Sequence, residues 1–504
     1  MLWIALEFPA LALQLVERAG AGSLPLVIAE GPSQRPLVAC ANAAAIEAGV
    51  REGQAVAAAK ALAGDLRVVE RKPEAEREAL ERIAAWASQF TPMTCLDPQG
   101  VVLEVESSLK LFGGHARLTA VIRRGVRELG FNAVFGVAPT PLAARLFARA
   151  ESHGRNVRGC IAIDELRERL ADLPLFLLDW PEEALVRLTD LGLVRVRDLL
   201  QLPSEGLARR FGPEIVASLD RLLGRTPDPR KPHAPPQRFR SRIELQADVE
   251  GVEPLLFPLK RLLNELEGCL RGRGAGVQSL VLWLEHGHAS RTPLALAFAS
   301  PEREADFILG IAREKLSRLT LPAATCALDL RADAMLPYTP RASTWLPGAR
   351  EQAIGRERLL ERLAARLGKG RVFGIAMADD HRPEKDWAPV ENWAPAHRRV
   401  AAAGATKNEG HPGRAAGAMG RGPIRRRPTW LLQRPHRLIT HAGQPMLQGD
   451  LTLQAGPERI EAGWWDGGEV RRDYYVAANS RGETFWIYRE HRDPSGWYLH
   501  GVFA

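Results

Sequence analysis

VVLEVESSLKLFGGHARLTAVIRRGVRELGFNAVFGVAPTPLAARLFARAES, residues 101–152, decides the reading of the fold. VVLEV (101–105) is a short β-branched run bounded by Gly100, which reads as a strand. From 115 to 129 the apolar residues recur every three or four positions, which predicts a helix packed on one side. NAVFGVA (132–138) reads as a second strand and residues 141–151 as a second helix. Strands alternating with helices predict an α/β layer with helices packed on a sheet.

Working outward, LWIAL (2–6) reads as a buried strand, and 11–18 and 41–63 show helical spacing of Ala, Leu and Val. EAEREALERIAAWASQF (74–90) is an amphipathic helix. Residues 170–225 hold short helices with turns and no strand signal, and within them LTDLGLVRVRDLLQLPSEGLARRFG carries Gly192 between two apolar stretches. That is how a helix–hairpin–helix reads: a glycine turn lets backbone N–H groups approach a phosphate. A plain helical hairpin has the same pattern. TPDPRKPHAPPQR (226–238) is a Pro-rich, extended tether. FRSRIEL, QSLVLWLEH and TCALDLRA read as strands, with helices over 253–271 and 302–319 between them, so a second small α/β domain is expected. A helix is expected at 356–368 and disorder over the Ala, Gly and Arg of 399–427, while the Trp- and Tyr-rich 428–504 reads as a small β-rich domain with turns at Gly467–Gly468, Asn479–Ser480 and Pro494–Ser495.

At 504 residues the chain is too long for one core. Its formal net charge of +8 favours an anionic partner, nucleic acid being the commonest. Cys40, Cys95, Cys160, Cys269 and Cys326 are far apart and form no CxxC pair, so neither a zinc site nor a disulfide framework is indicated, which suits a reducing cytoplasm. The opening MLWIALEFPALALQL lacks a basic start and carries Glu7 inside its apolar run, so a first strand is expected rather than a signal peptide. No run approaches the length a membrane span needs.

The order of these parts, together with ANAAAIEAGVREGQAVAAAKAL (41–62), SSLKLFGG (107–114), FGVAPTPLAARLFA (135–148) and LTDLGLVRVRDLLQL with ARRFG, resembles the Y-family translesion DNA polymerases over residues 1–335. The resemblance implies palm and fingers at 1–169, a helix–hairpin–helix thumb at 170–228, the tether at 229–238 and a little finger at 239–340. A linker with one helix and a basic disordered stretch follows at 341–427, then an aromatic-rich interaction domain at 428–504. In such enzymes clustered carboxylates hold two divalent cations. Here the leading ligand position falls on Ala5, the second acidic position on Glu7, the aromatic sugar gate on Ala10, and the acidic pair of the central hairpin on Gln99 and Gly100. The Tyr, Arg and Lys that would hold a triphosphate fall on Ala43, Ile46 and Pro141. Glu7, Asp97 and Glu104 remain as acids: Glu7 and Glu104 read as paired or solvent-facing carboxylates at strand ends, and Asp97 lies before the turn, two residues from the required position. The resemblance therefore implies a polymerase-like chain with no catalytic residues, metal or cofactor.

A polymerase-like chain of this kind with a long C-terminal extension resembles the ImuB-type branch of that superfamily, on the strength of GPERIEAGWWDGGEVRRDYYVAANSRGETFWIYRE (456–490) above all. That resemblance implies a place in a damage-induced (SOS-type) mutasome acting in translesion synthesis, and three partners: the sliding clamp, a RecA-related ImuA-like protein and an error-prone DnaE-type polymerase; primer–template DNA is the further partner expected of the polymerase-like parts. For DNA, the expected contacts are the Gly192 turn with Arg195 and Arg197, and Arg238, Arg240 and Arg242 at alternate positions along one strand. Ser343, Trp345 and Leu346 resemble a degenerate clamp-binding peptide. Trp464, Trp465, Arg471, Arg472 and Tyr474 are the expected partner surface, since Trp, Tyr and Arg dominate such anchors; most aromatics of so small a domain must also build its core. Three readings follow: a DNA-binding scaffold, an active polymerase with rearranged metal ligands, and an interaction hub with little DNA contact.

Overall fold

A computed structural model describes residues 1–20, 24–155, 157, 159–287, 290–339, 349–368, 370–390, 427–492 and 495–503. The chain forms two compact units, Met1–Arg366 and Leu367–Ala504.

The first unit begins with β1 (Trp3–Glu7), α1 (Leu11–Glu17), β2 (Leu26–Glu30), β3 (Leu37–Ala41), α2 (Ala43–Glu47), α3 (Val56–Leu62), β4 (Arg67–Glu70) and α4 (Pro73–Ala87). It continues with β5 (Thr94–Asp97), β6 (Gly100–Glu104), α5 (Leu109–Phe112), α6 (His115–Glu128), β7 (Val134–Ala138) and α7 (Pro141–Ser152). Strands β5-β6-β1-β7 make an antiparallel sheet. Alternation along β1 sends Ile4 and Leu6 into a core with Leu80, Ile83, Leu118 and Ile122 of α4 and α6. Trp3 and Ala5 point the other way, against Ala143, Ala144, Phe147 and Ala148 of α7. Helix α7 starts on a Thr140 cap, whose hydroxyl accepts from the Ala143 N–H, with Pro141 in the first turn. It lies close on the sheet because Gly136, paired with Ala5, has no side chain: a Cβ there would stand 1.8 Å from the Ala144 carbonyl oxygen.

A small sheet, β3-β2-β4, lies beside these elements. The Asn42 side chain accepts from the N–H groups of Leu26 and Ala45 and donates to the Leu24 carbonyl, joining α2 to β2. The helical spacing read over 41–63 resolves into two short helices separated by a turn.

Helices α8 (Ile163–Ala171), α9 (Glu182–Asp190), α10 (Val196–Leu200), α11 (Ser204–Phe211) and α12 (Pro213–Leu222) share the core on the α7 side through Leu166, Leu188, Val196, Leu207 and Leu219. The Pro-rich stretch after α12 is fastened to β5, the His233 N–H donating to the Thr94 carbonyl at 2.6 Å. Next come β8 (Phe239–Val249), α13 (Val252–Gly272), β9 (Ala275–His286), β10 (Thr292–Glu302), α14 (Ala305–Leu316), β11 (Thr325–Ala332), β12 (Leu336–Pro337) and α15 (Ala349–Leu367). Their sheet runs β10-β9-β11-β8, with β12 paired to β9. One face packs Ile243, Leu282, Leu296 and Leu330 on Leu262, Leu266 and Ile308 of α13 and α14.

The second unit holds β13 (Gly374–Met377), β14 (Trp387–Val390), β15 (Trp430–Arg437), β16 (Ile439–His441), β17 (Gln444–Met446), β18 (Thr452–Ala462), β19 (Val470–Ala478), β20 (Thr484–Glu490) and β21 (Gly496–Val502). Five of these form an antiparallel sheet, β15-β21-β20-β19-β18, as the aromatic-rich sequence predicts. The expected disorder at 399–427 and the clamp-peptide residues Ser343, Trp345 and Leu346 lie outside the described residues, apart from Arg427.

Candidate functional site

The two acids nearest the position where metal ligands were sought come from neighbouring strand ends: Glu7 closes β1 and Asp97 closes β5, and both are paired in register with Gly100. Both are buried. Each faces a guanidinium. Arg145, on α7, stands 2.8 Å from Asp97, and Arg230, from the Pro-rich stretch, stands 3.3 Å from it. Arg149, one turn beyond Arg145, is 3.6 Å from Glu7 and donates to the Leu177 carbonyl. Asp179 shares both arginines, at 3.2 Å from Arg145 and 3.8 Å from Arg149. Burial pushes the Glu7 carboxyl up to about 7, outweighing the pull of Arg149 and Arg145. Burial also raises Asp97 against the pull of Arg145 and Arg230. The arginines border a cavity of about 400 Å³ lined also by Asp179, Trp180 and Arg221.

The other expected positions add no oxygen ligands to this cluster. Ala5 is fully buried under α7. Gln99 is exposed in the β5–β6 turn, its carbonyl accepting from the Phe8 N–H. Gly100 is buried, and a Cβ there would meet the Leu6 carbonyl oxygen at 2.0 Å. Ala10 caps α1 with a left-handed φ of 55°. Ala43 and Ile46 lie exposed on α2, and Pro141 is buried at the start of α7. Glu104 accepts from the N–H groups of Leu2 and Glu106, at the far end of β6. Among the described residues no group of three or more His, Cys, Asp and Glu side chains could hold a metal ion. A pair of Mg²⁺ ions needs several well-placed oxygens. The residues here, two buried acids facing arginines, do not fit such a pair.

The outer face of the β10-β9-β11-β8 sheet carries the alternating arginines. Arg240 lies opposite Arg331, and Arg242 opposite Asp329. Asp329 is fully buried beneath Arg240, at 3.2 Å, and Arg331, at 2.5 Å. Arg242 pairs with Glu285 at 2.8 Å and with Glu244. Arg240 keeps 64% of its side chain exposed; Arg238, just before β8, is exposed too. The register extends this face to Trp283, beside Asp329 on β9, with the Arg291 guanidinium stacked 4.3 Å from its ring. Sequence reasoning missed Trp283, Arg291 and Arg331. Register was the missing information, because only strand pairing places them beside Arg240 and Arg242.

The Gly192 turn differs from expectation. Its backbone donors are bonded within the turn: Gly192 to the Thr189 carbonyl, Leu193 to Leu188, and Val194 and Arg195 to the Asp198 carboxylate at 3.0 and 2.8 Å. Those two N–H bonds, Arg195 first, hold the Asp198 carboxyl below the usual range. An acid three residues after Arg195 thus takes the donors that were expected to meet a phosphate. Arg195 and Arg197 both pair with Asp172, with their side chains about half exposed.

In the second unit the expected partner surface divides. Tyr474 is buried, stacked on Trp486 at 4.1 Å, and hydrogen-bonds to His500 at 2.8 Å. Arg472 is largely covered, pairing with Glu384 and Glu490 over the Tyr488 ring. Both belong to the core because β19 turns these side chains toward the aromatic side of the sheet, which corrects their expected role. Arg471 is exposed beside Glu469. Trp464 and Trp465 are 74% and 55% exposed at the turn between β18 and β19, edge to face. Buried Arg382 secures that turn through Asp466 and the Gly468 carbonyl.

Residues 10–149 match the impB/mucB/samB family. The chain is 26% identical over 491 residues to Protein ImuB of Caulobacter vibrioides, a match spanning 90% of this chain and all of that protein. The chain is a homologue of ImuB. DNA polymerase IV of Dehalococcoides mccartyi is 26% identical over 257 residues, covering 50% of this chain and 64% of that enzyme. Among solved structures, DinB from Sulfolobus solfataricus aligns with 67% of this chain and all of its own, at 17% identity and a TM-score of 0.38. A Dbh ternary complex aligns over the same 67% with the same TM-score of 0.38. The homology to ImuB thus runs through both units, whereas the polymerase IV likeness covers half of the chain. No helix among the described residues is long and apolar enough to cross a membrane.

Proposed function

We propose that this ImuB homologue is a non-catalytic, DNA-binding adaptor in DNA-damage-induced mutagenesis, which brings an error-prone DnaE-type polymerase to damaged primer–template DNA. One observation carries the non-catalytic part: the positions that would hold metal-binding oxygens are Ala5, Gln99 and Gly100, and the acids that remain, Glu7 and Asp97, face arginines. In this reading 1–169 is an inactive palm and fingers, 170–228 a thumb, 229–238 a tether and 239–340 a little finger. Residues 341–427 are a linker and 428–504 a partner-binding domain. All of this would operate in the cytoplasm.

The outer face of the β8–β11 sheet is the favoured DNA surface. Arg240, Arg242, Arg331 and Arg291 lie on one side of a sheet, where they can follow a phosphate backbone without reading sequence. At the Gly192 turn the contribution comes from the half-exposed guanidinium groups of Arg195 and Arg197 rather than from backbone N–H groups. The exposed Trp464–Trp465 pair with Arg471 suits an anchor for the ImuA-like protein or the polymerase. Ser343, Trp345 and Leu346 are the residues to test for clamp binding.

A primer-extension assay with Mg²⁺ and with Mn²⁺, run beside DNA binding at rising salt and a pull-down with clamp, ImuA-like protein and DnaE-type polymerase, tests the reading. The expected result is no extension, DNA binding that weakens with salt, and capture of the polymerase. Extension that disappears in Glu7→Ala would overturn it in favour of an active polymerase. Salt-indifferent or absent DNA binding would leave only a protein-interaction hub.

A further inference from the structure

The cluster around Glu7 and Asp97 has more than missing ligands; it has its own cations. Arg145 and Arg149 sit one turn apart on α7, and α7 lies tight on the sheet through Ala5, Gly136 and Ala144. Arg145 is itself buried, 2.8 Å from Asp97, and Arg149 is four-fifths covered, 3.6 Å from Glu7. Arg230 closes the other side of Asp97, and Asp179 ties Arg145 to Arg149. Asp97 Oδ2 accepts from Arg230 at 3.3 Å, while Glu7 Oε1 and Asp97 Oδ1 stand beside guanidinium groups without an aligned hydrogen bond.

We propose that Arg145 and Arg149 serve as fixed counter-ions of this pocket, in place of mobile metal ions, and keep it closed to divalent cations even when a further carboxylate is supplied. The inference deepens the non-catalytic reading of the same site by naming what holds it in that state. A guanidinium on a packed helix has little freedom to leave, and displacing it by a metal would strand a buried positive charge. The backbone also resists reversal at one place: Gly100 cannot take a glutamate without moving Leu6.

The test uses the full chain and Mn²⁺ followed by electron paramagnetic resonance. Gln99→Asp adds a carboxylate at an exposed turn, where a substitution is expected to change stability little. Wild type and Gln99→Asp are expected to show free-ion Mn²⁺ spectra, whereas Gln99→Asp with Arg145→Gln and Arg149→Gln binds Mn²⁺ at least ten-fold more tightly. Binding by Gln99→Asp with both arginines intact overturns the proposal, as does no gain once they are removed. Should the triple variant not fold, Glu7→Gln/Arg149→Gln is compared with Arg149→Gln alone by thermal melting. Recovery of most of the lost melting temperature supports charge pairing, and no recovery overturns it. DNA binding and partner capture are read separately, so the adaptor reading can stand or fall independently of these results.

Discussion

Arg145 reaches 2.8 Å from Asp97 across 48 positions of sequence, and both side chains are more than nine-tenths covered. Buried pairs of this kind are costly to break from one side, because the partner is left as an uncompensated charge. Arg145→Ala is therefore expected to destabilise the first unit by about 3–5 kcal/mol, with Arg230 retaining part of the compensation. Urea unfolding followed by tryptophan fluorescence checks this; a loss under about 1 kcal/mol would place the pair among surface bridges instead.

On the sheet face, Arg240 and Arg242 are not equivalent. Arg240 is mostly exposed above Asp329, which Arg331 also neutralises, while Arg242 is engaged by Glu285 and Glu244. Arg240→Ala is expected to weaken DNA binding more than Arg242→Ala, each lowering the slope of log affinity against log salt by at most about 1. Fluorescence anisotropy with a labelled primer–template at several salt concentrations makes the comparison. Equal affinity for both variants and wild type would remove this face from the DNA surface.

In the second unit, exposure separates binding from folding. Trp464→Ala/Trp465→Ala is expected to leave thermal stability within about 0.5 kcal/mol while abolishing capture of the partner proteins. Tyr474→Ala, by contrast, removes a ring stacked on Trp486 and should cost about 3–5 kcal/mol. Reversal of these two outcomes would move the interaction surface elsewhere.

Two buried groups give the units opposite responses to pH. Burial, helped by Arg472 and opposed by Glu384, holds the His500 imidazole down at about 4. Its contribution to stability is present above the unfolded value near 6.5 and is lost as pH falls toward 4. Glu7 is the reverse: with its carboxyl raised from 4.5 to about 7, the folded state holds the extra proton, so the first unit loses stability as pH rises between those values. Melting curves from pH 4 to 8 on wild type, His500→Gln and Glu7→Gln test both signs. Each substitution should flatten the response of its own unit.

Much of the secondary structure was legible in sequence. TCALDLRA coincides with β11, and the helix read at 141–151 is α7 to within one residue. Misses cluster where helix-favouring composition overlies a strand. TPLALAFASPE alternates Leu294, Leu296 and Phe298 into the core as β10, yet its Leu and Ala carry little strand propensity. Strands β2, β3 and β4 belong to a small sheet whose partners had to be known first. The vacant ligand positions could be read from residue identity alone. Their replacement by Arg145 and Arg149 could not, since nothing in a helical pattern says which carboxylate a guanidinium will meet across the core.

The close approach at Gly136 has a reach beyond packing. An uncharged residue with no side chain sets how far α7 sinks onto the sheet, and so fixes where the two positive charges next to Ala144 and Ala148 stand. A single methyl group added at 136 would act as a wedge, shifting the electrostatics of the cleft without altering any ionisable residue in it.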